Sequence, residues 1–533
     1  MPNENNKLIF KSRIPYWLVL FTIFISLMPI ALVLGIYLSG ASSAASYYGV
    51  DIIDVKYSTV VYYLAIAASF PLEAKFFNYF SSKPYLIGCS IIYAAINLIL
   101  YNSHSFALLL VLRFAGGMLS LGFIGMIFSL VFKQFQAQRS RILGYATMYA
   151  ALFSSAPLAQ LLDAFIFTKY DFNSIFLFKI YSALPGIILL CYILKKGTDL
   201  RRDGKIPLKL IRWESFVLYA SSLLLAAYIL LYGQYYHWFN SMRITVCTIV
   251  LVFFMCLFFL RQFKLEEPYI DLKIYKSRNF RIGMLLLVLF YFSKGDMNLL
   301  NGFFSNSVHL DMYHKGYIML INAAGIASGS LISARFILAG RKIRLIWMTG
   351  FGALLAYHVY ILCILSNQAE ISDLLIPLFL QGFGNGTLII SIVIFYVTSV
   401  PAEIAFSASV TGVAFRAVTF TASMALTSYM GLHFQKIHYQ SAAHEITSLN
   451  PYAVQRIGQY KQALLNGGAS IPQSNAGAIK LLGKAVANQN NLLFVRDYYL
   501  YMSAFILLII MGIALIPHFQ YHIKKIGAKL IPM

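Results

Sequence analysis

Lys294 and Asp296 sit near the centre of an apolar run, 282–304, separated only by Gly295. A charged side chain at mid-bilayer costs about 3 kcal/mol on insertion scales, so a pair placed there needs partners or a task. At about 100° per residue, Lys294, Asn298, Asn301 and Ser305 (i, i+4, i+7, i+11) form one polar stripe of the kind that faces a watery cavity. Asp296 lies about 200° around from Lys294, so the two cannot pair on a regular helix unless Gly295 permits a break. Two readings stay open: Asp296 accepts a proton while Lys294 charges a cavity, or both belong to interhelical salt bridges.

A second stripe joins Ser58, Tyr62, Ser69 and Glu73 at i, i+4, i+11 and i+15. Glu73, just after Pro71, is either a titrating group or a solvated helix-end charge beside Lys75 or Lys83. Two arginines, Arg113 and Arg416, also fall inside apolar runs, whereas Asp163 and Lys179 lie near the ends of theirs, where snorkelling to the headgroups is expected. Tyr62, Tyr63, Phe290, Tyr291 and Phe292 suit a cavity for flat, apolar or cationic molecules.

Enzyme chemistry finds little support. His104, His309, His314, His358 and His433 are scattered, and no nucleophile, base and orienting group cluster in the sequence. The five cysteines lie far apart in apolar segments without metal-ligand spacing, so neither a disulfide nor a metal site is expected. The glycines from Gly382 to Gly386 lie within an apolar run with no following Lys and Ser/Thr, which excludes a phosphate loop; no cofactor is expected. Gly116/Gly117, Gly325/Gly329 and Gly382/Gly386 instead read as packing or hinge positions.

The elements that carry these residues follow from composition. With 59% apolar and only 11% charged residues in 533, the chain belongs in a lipid bilayer. Runs of about 20 apolar residues begin near Ile14, Tyr57, Tyr85, Ser105, Ile142, Ser174, Phe216, Ile244, Ile282, Gly316, Leu345, Leu374, Ile404 and Tyr499. The expected fold is therefore an all-α polytopic membrane protein with fourteen transmembrane helices. The first run, 14–38, has no clean cleavage site and reads as a retained span. The net charge of +23 reports topology, not nucleic acid, because lysine and arginine concentrate in cytoplasmic loops. The basic loops alternate: Lys133, Arg139 and Arg141; then Lys195, Lys196, Arg201, Arg202, Lys205, Lys209 and Arg212; then Arg341, Lys342 and Arg344; then Lys524, Lys525 and Lys529. This places both termini in the cytoplasm and the long connection 433–497 outside. That connection reads as either a polar linker or a small ordered lid, since 476–487 is compatible with a helix.

Glu267, Pro268, Tyr269, Ile270, Asp271 and Leu272, followed by Arg278, Asn279 and Phe280, resemble the acidic-Pro-x-x-Asp-Leu…Arg-Asn-Phe connection of the major facilitator superfamily's fourteen-span drug:proton antiporters (EmrB/QacA type). Leu112 to Gly117, Gln381 to Gly386 and Ser409 to Arg416 fit the same group at their expected places. The resemblance implies a major facilitator fold: a six-helix bundle over 14–194, two extra central helices over 195–281 and a second bundle over 282–518, with cytoplasmic ends 1–13 and 519–533. It also implies a proton-coupling role for Arg113, for which the competing role is neutralising an acid, and a gating or packing role for Arg416. The chain departs from the pattern in three places. The first span has Ser26, Leu27, Met28 and Pro29 where an Asp is common. Asn78 and Ser81 replace an acid and a glycine after the second span. Of the fifth-span Gly-Pro-x-x-Gly-Gly signature only Pro157 survives.

The expected function is secondary active export of a hydrophobic or amphipathic small molecule across the inner membrane (multidrug-type efflux), driven by protons through alternating access. Asp296, Glu73 and Arg113 are the coupling candidates, and Lys294, Asn298, Asn301, Tyr62 and Ser69 the cavity candidates. Gly116, Gly117, Pro157, Gly382, Gly386 and Arg416 are read as gating or packing positions. Uptake, or a non-transporting scaffold or receptor, stands as the alternative. For relatives in two-membrane bacteria the resemblance implies a periplasmic adaptor and an outer-membrane channel meeting 433–497; the competing reading is a spacer with no partner.

Overall fold

A computed structural model describes residues 10–11, 14–79, 82–134, 138–195, 211–306, 308–366, 369–447 and 449–515; most of the basic loop 195–212 and the tail lie outside them. In chain order the helices are α1 Tyr16–Ser39, α2 Ala41–Tyr48, α3 Ile52–Tyr79, α4 Ser82–Asn102, α5 Phe106–Gln134, α6 Gln138–Lys169, α7 Ser174–Ile193, α8 Trp213–Tyr232, α9 Met242–Lys264, α10 Arg278–Ser293, α11 Met297–Asn306, α12 Met312–Leu338, α13 Ile343–Ile364, α14 Ile371–Thr398, α15 Ala405–Glu445, α16 Pro451–Asn466 and α17 Ile471–Leu515. Twelve helices among the described residues are long and apolar enough to cross a membrane. The first expected span coincides with α1, and the ninth with the pair α10 and α11.

The ninth span is thus not the continuous helix expected over 282–304. It breaks at 294–296, where Lys294 caps α10 and the Asp296 carbonyl accepts the Leu300 N–H at 2.9 Å to start the next helical segment. Gly295 lets α15 come close at the break, since a Cβ there would fall 1.8 Å from Ser423 Oγ.

The helices pack in two groups. α1 lies against α6 and α7, α3 against α5, and α4 against α5 and α7; in the other group α12 lies against α14, α13 against α14 and α17, and α10 against α14 and α15. The groups meet along α6 with α12 and along α3 with α15. In the most apolar stretch of α14, 83% of residues are buried, but only 11% in that of α9, whose Met242, Ile249 and Phe263 point outward as a lipid-facing helix does.

The connection carrying the acidic-Pro-x-x-Asp-Leu pattern ties α8 and α9 to both groups. Tyr269 donates its hydroxyl to Ala68 O on α3 at 2.7 Å, and the Asp271 N–H donates to Ser407 Oγ on α15 at 3.0 Å. Over 433–497 the structure is mainly helical: α15 runs on to Glu445, α16 packs on α17, and α17 begins at Ile471, well before the apolar run near Tyr499. His438 and Asp497, 2.7 Å apart, join α15 to α17 at the base of this extension.

Candidate functional site

The break in the ninth span separates its two charges by direction. Asp296 is wholly buried among the second group. Its carboxylate accepts hydrogen bonds from the Tyr357 hydroxyl on α13, from the Tyr499 hydroxyl on α17 at 2.9 Å, and from Gln381 Nε2 on α14 at 3.1 Å. The tyrosine hydroxyls lie 2.9 Å apart, and Asn322 of α12 donates to Gln381 Oε1 at 2.9 Å. Four helices thereby supply the donors and supports that a buried carboxylate requires. None of Tyr357, Tyr499 and Asn322 was singled out by sequence. Gln381 stood within a recognised motif without an assigned partner.

Lys294 turns the other way. Its Nζ lies 4.4 Å from the ring centroid of Phe153 on α6, 4.8 Å from Tyr291 and 5.5 Å from Phe290, cation–π distances that favour an ammonium with little water around it. It lies where two chambers of about 250 and 130 Å³ adjoin between the helix groups. Arg416 lines the larger chamber, donating to Tyr149 Oη on α6 at 3.2 Å and so linking α15 to the opposite group. Gln381 and Asn322 line the smaller chamber, as do Pro157 and Asn301, so the Asp296 network has a face on the cavity although Asp296 itself has none. Asn301 Oδ1 is buried there with no hydrogen-bond partner among the described residues.

The first stripe therefore does not run along one wall: Lys294 and Asn301 face the cavity, the Asn298 side chain lies outside the described residues, and Ser305 is exposed and accepts from Lys315 at 2.5 Å. The second stripe faces α5. Ser58 O accepts from Arg113 Nε at 2.9 Å and Tyr62 bonds to Ser120. Ser69 donates within its own helix to Ala65 O at 2.5 Å, and Glu73 lies against Gly125, whose Cβ would fall 3.1 Å from the carboxylate oxygens. Tyr62 and Ser69 are thus in the α3–α5 seam, whereas Tyr63, Ile66 and Phe70 line the cavity. Gly117 holds that seam tight, a Cβ there falling 2.5 Å from Tyr62 O, while Gly116 faces the Tyr62 ring.

Arg113 is 5% exposed, with its guanidinium 3.8 Å from the Tyr37 ring centroid and 5.2 Å from that of Tyr62. Aromatic faces and a backbone carbonyl therefore hold it. Replacing it by lysine keeps the charge but removes the Nε–H bond and the flat stacking surface, a cost of about 1–3 kcal/mol. A matching fall in Tm of the purified protein checks this, and an unchanged Tm contradicts it. Asp163 and Lys179 do not snorkel: each is 4% exposed and they act on one another within the first group. The α6 and α7 positions that looked like span ends are covered by neighbouring helices.

An all-helical membrane protein with a cavity between two helix groups, and a buried carboxylate one hydrogen bond from that cavity, has an architecture of the kind secondary transporters use. Residues 16–427 match the Major Facilitator Superfamily; the chain belongs to that family and is a transporter, not an enzyme. It is 23% identical over 291 residues to Multidrug export protein EmrB of Escherichia coli (strain K12), covering 53% of each chain. It is 24% identical over 232 residues to Colistin resistance protein EmrB of Acinetobacter baumannii, covering 43% of this chain and 44% of that one. These alignments span about half the length of the relatives or less. A solved peptide transporter, POT, superposes with a TM-score of 0.55 at 12% identity over 94% of each chain, a likeness of fold.

Proposed function

We propose that the chain exports a hydrophobic or amphipathic small molecule across the inner membrane in exchange for protons, by alternating access of its two helix groups, with both termini in the cytoplasm. The observation that carries this reading is the contact of Gln381 with both the cavity and the buried Asp296. The Gln381 amide stands between the cavity and the carboxylate and does not itself relay a proton, so a swing of this side chain that lets cavity water reach Asp296 is the step that loads it. Asp296 is the coupling group on this reading, ahead of Glu73, which lies in the α3–α5 seam. Arg416 and Tyr149 form a gate between the groups, and the glycines of α12 and α14 let those helices move as one body. The extension made by α16 with the ends of α15 and α17 is the surface that a periplasmic adaptor and outer-membrane channel would meet. The similarity to Multidrug export protein EmrB of Escherichia coli supports the direction.

Uptake by proton symport is the second reading, favoured by the absence of Asp and Glu from the cavity lining among the described residues. The test uses inside-out vesicles with an imposed pH gradient and fluorescent amphipathic compounds of either charge. Exchange predicts that adding a transported compound dissipates the gradient as the compound accumulates. Co-transport predicts that compound and protons leave together, and a gradient that no compound disturbs contradicts both.

A further inference from the structure

We infer that the cavity is built for an organic anion: a carboxylate or sulfonate on a flat apolar body, its acidic group held between Lys294 and Arg416. This rests on the transporter reading and specifies its substrate class. Both cations line the larger chamber, and no Asp or Glu lines either chamber among the described residues. Among the described residues, neither cation forms a salt bridge with a carboxylate. Asp296, the acid beside Lys294 in sequence, faces the other way and is held by Tyr357, Tyr499 and Gln381.

Two cations lining one largely apolar chamber are poorly solvated; the charge of Asp296 offsets part of that cost at Lys294, and a bound anion lowers what remains whereas a bound cation adds to it. The remaining wall, including Tyr63, Phe153 and Phe420, offers aromatic faces for the flat body. The aromatic lining alone suits cations as well, and the two fixed positive charges decide against them.

The test is equilibrium binding to the purified full chain of three probes with one body: 2-naphthylacetate, its quaternary ammonium analogue and its neutral alcohol. The anion is expected to bind at least about tenfold more tightly than the cation, equivalent to about 1.4 kcal/mol. Lys294→Gln and Arg416→Gln should each remove most of that preference with the alcohol unaffected, and Lys294→Arg should keep it, which separates loss of charge from loss of fold. Equal or tighter binding of the cation, binding of none of the three, or a uniform loss for all three in Lys294→Gln with none restored in Lys294→Arg overturns the inference. Because binding needs no gradient, an anion preference without gradient-driven movement in vesicles would sink the transport reading and leave this one standing, whereas transport of the cation alone would do the reverse.

Discussion

Asp296→Asn is expected to fold, reach the membrane and lose gradient-driven transport. The carboxylate is wholly enclosed and receives three donors from α13, α14 and α17. Asparagine preserves its size and one acceptor oxygen, but it cannot take up a proton, so the chemical event that links the gradient to the cavity disappears. Removing a coupling free energy of about 1–3 kcal/mol lowers the response roughly 5- to 150-fold, and the flux with a gradient should fall to the flux without one. The tyrosine donors left facing an amide cost about 1–3 kcal/mol of stability, so expression and Tm must be measured beside flux. Binding of substrate at fixed pH should survive, because Asp296 does not line the chambers. A variant that still concentrates substrate against its gradient would refute the assignment.

The second large effect concerns packing. On α12 and α14 four glycines interlock: a Cβ on Gly325 would fall 2.3 Å from Phe379 O, on Gly329 2.2 Å from Phe383 O, on Gly382 2.1 Å from Asn322 O and on Gly386 2.2 Å from Ile326 O. These are backbone atoms, which cannot swing aside, so any larger residue must push the helices apart. In a bilayer, where lipid is as apolar as leucine, such close approach is the main attraction between helices. Gly382→Leu should cost about 1–3 kcal/mol or more by overpacking and displace the Asn322–Gln381 bond that supports Asp296. A large fall in Tm with loss of the monodisperse species in detergent is the expected result. Gly352→Ala on α13, where a Cβ meets nothing within 4 Å, should leave both unchanged. Equal melting of the two variants would show that the α12–α14 seam is looser than these distances require.

Much of this architecture is legible in the sequence because the bilayer demands it. Spans must be long, apolar and helical, and the starts placed near Ile142, Ser174 or Leu374 fall within α6, α7 and α14. The break at Gly295 was legible only as a condition, and the close approach of Ser423, 128 residues downstream on α15, that leaves no room for a side chain there was not legible at all. Which way each polar face turns was not legible. Periodicity groups Ser58, Tyr62, Ser69 and Glu73 on one side of α3 but carries no sign of the neighbour that side meets. The residue one step on, Tyr63, is the one that sees the cavity. The partners of Asp296 were hidden for the same reason: Tyr357 and Tyr499 are two among many aromatics in apolar spans, 61 and 203 residues away, and the packing of α17 on α10, α11 and α13 brings them together.

The most direct test of Asp296 as the exchanging site is to mix the purified chain with a transported compound in weakly buffered detergent solution and follow a pH indicator. The unmodified protein should change its bound protons by up to about one per chain on saturation, with release marking exchange and uptake marking co-transport. Asp296→Asn should bind the compound and change none. A proton change of undiminished size in Asp296→Asn would place the coupling group elsewhere and contradict the account.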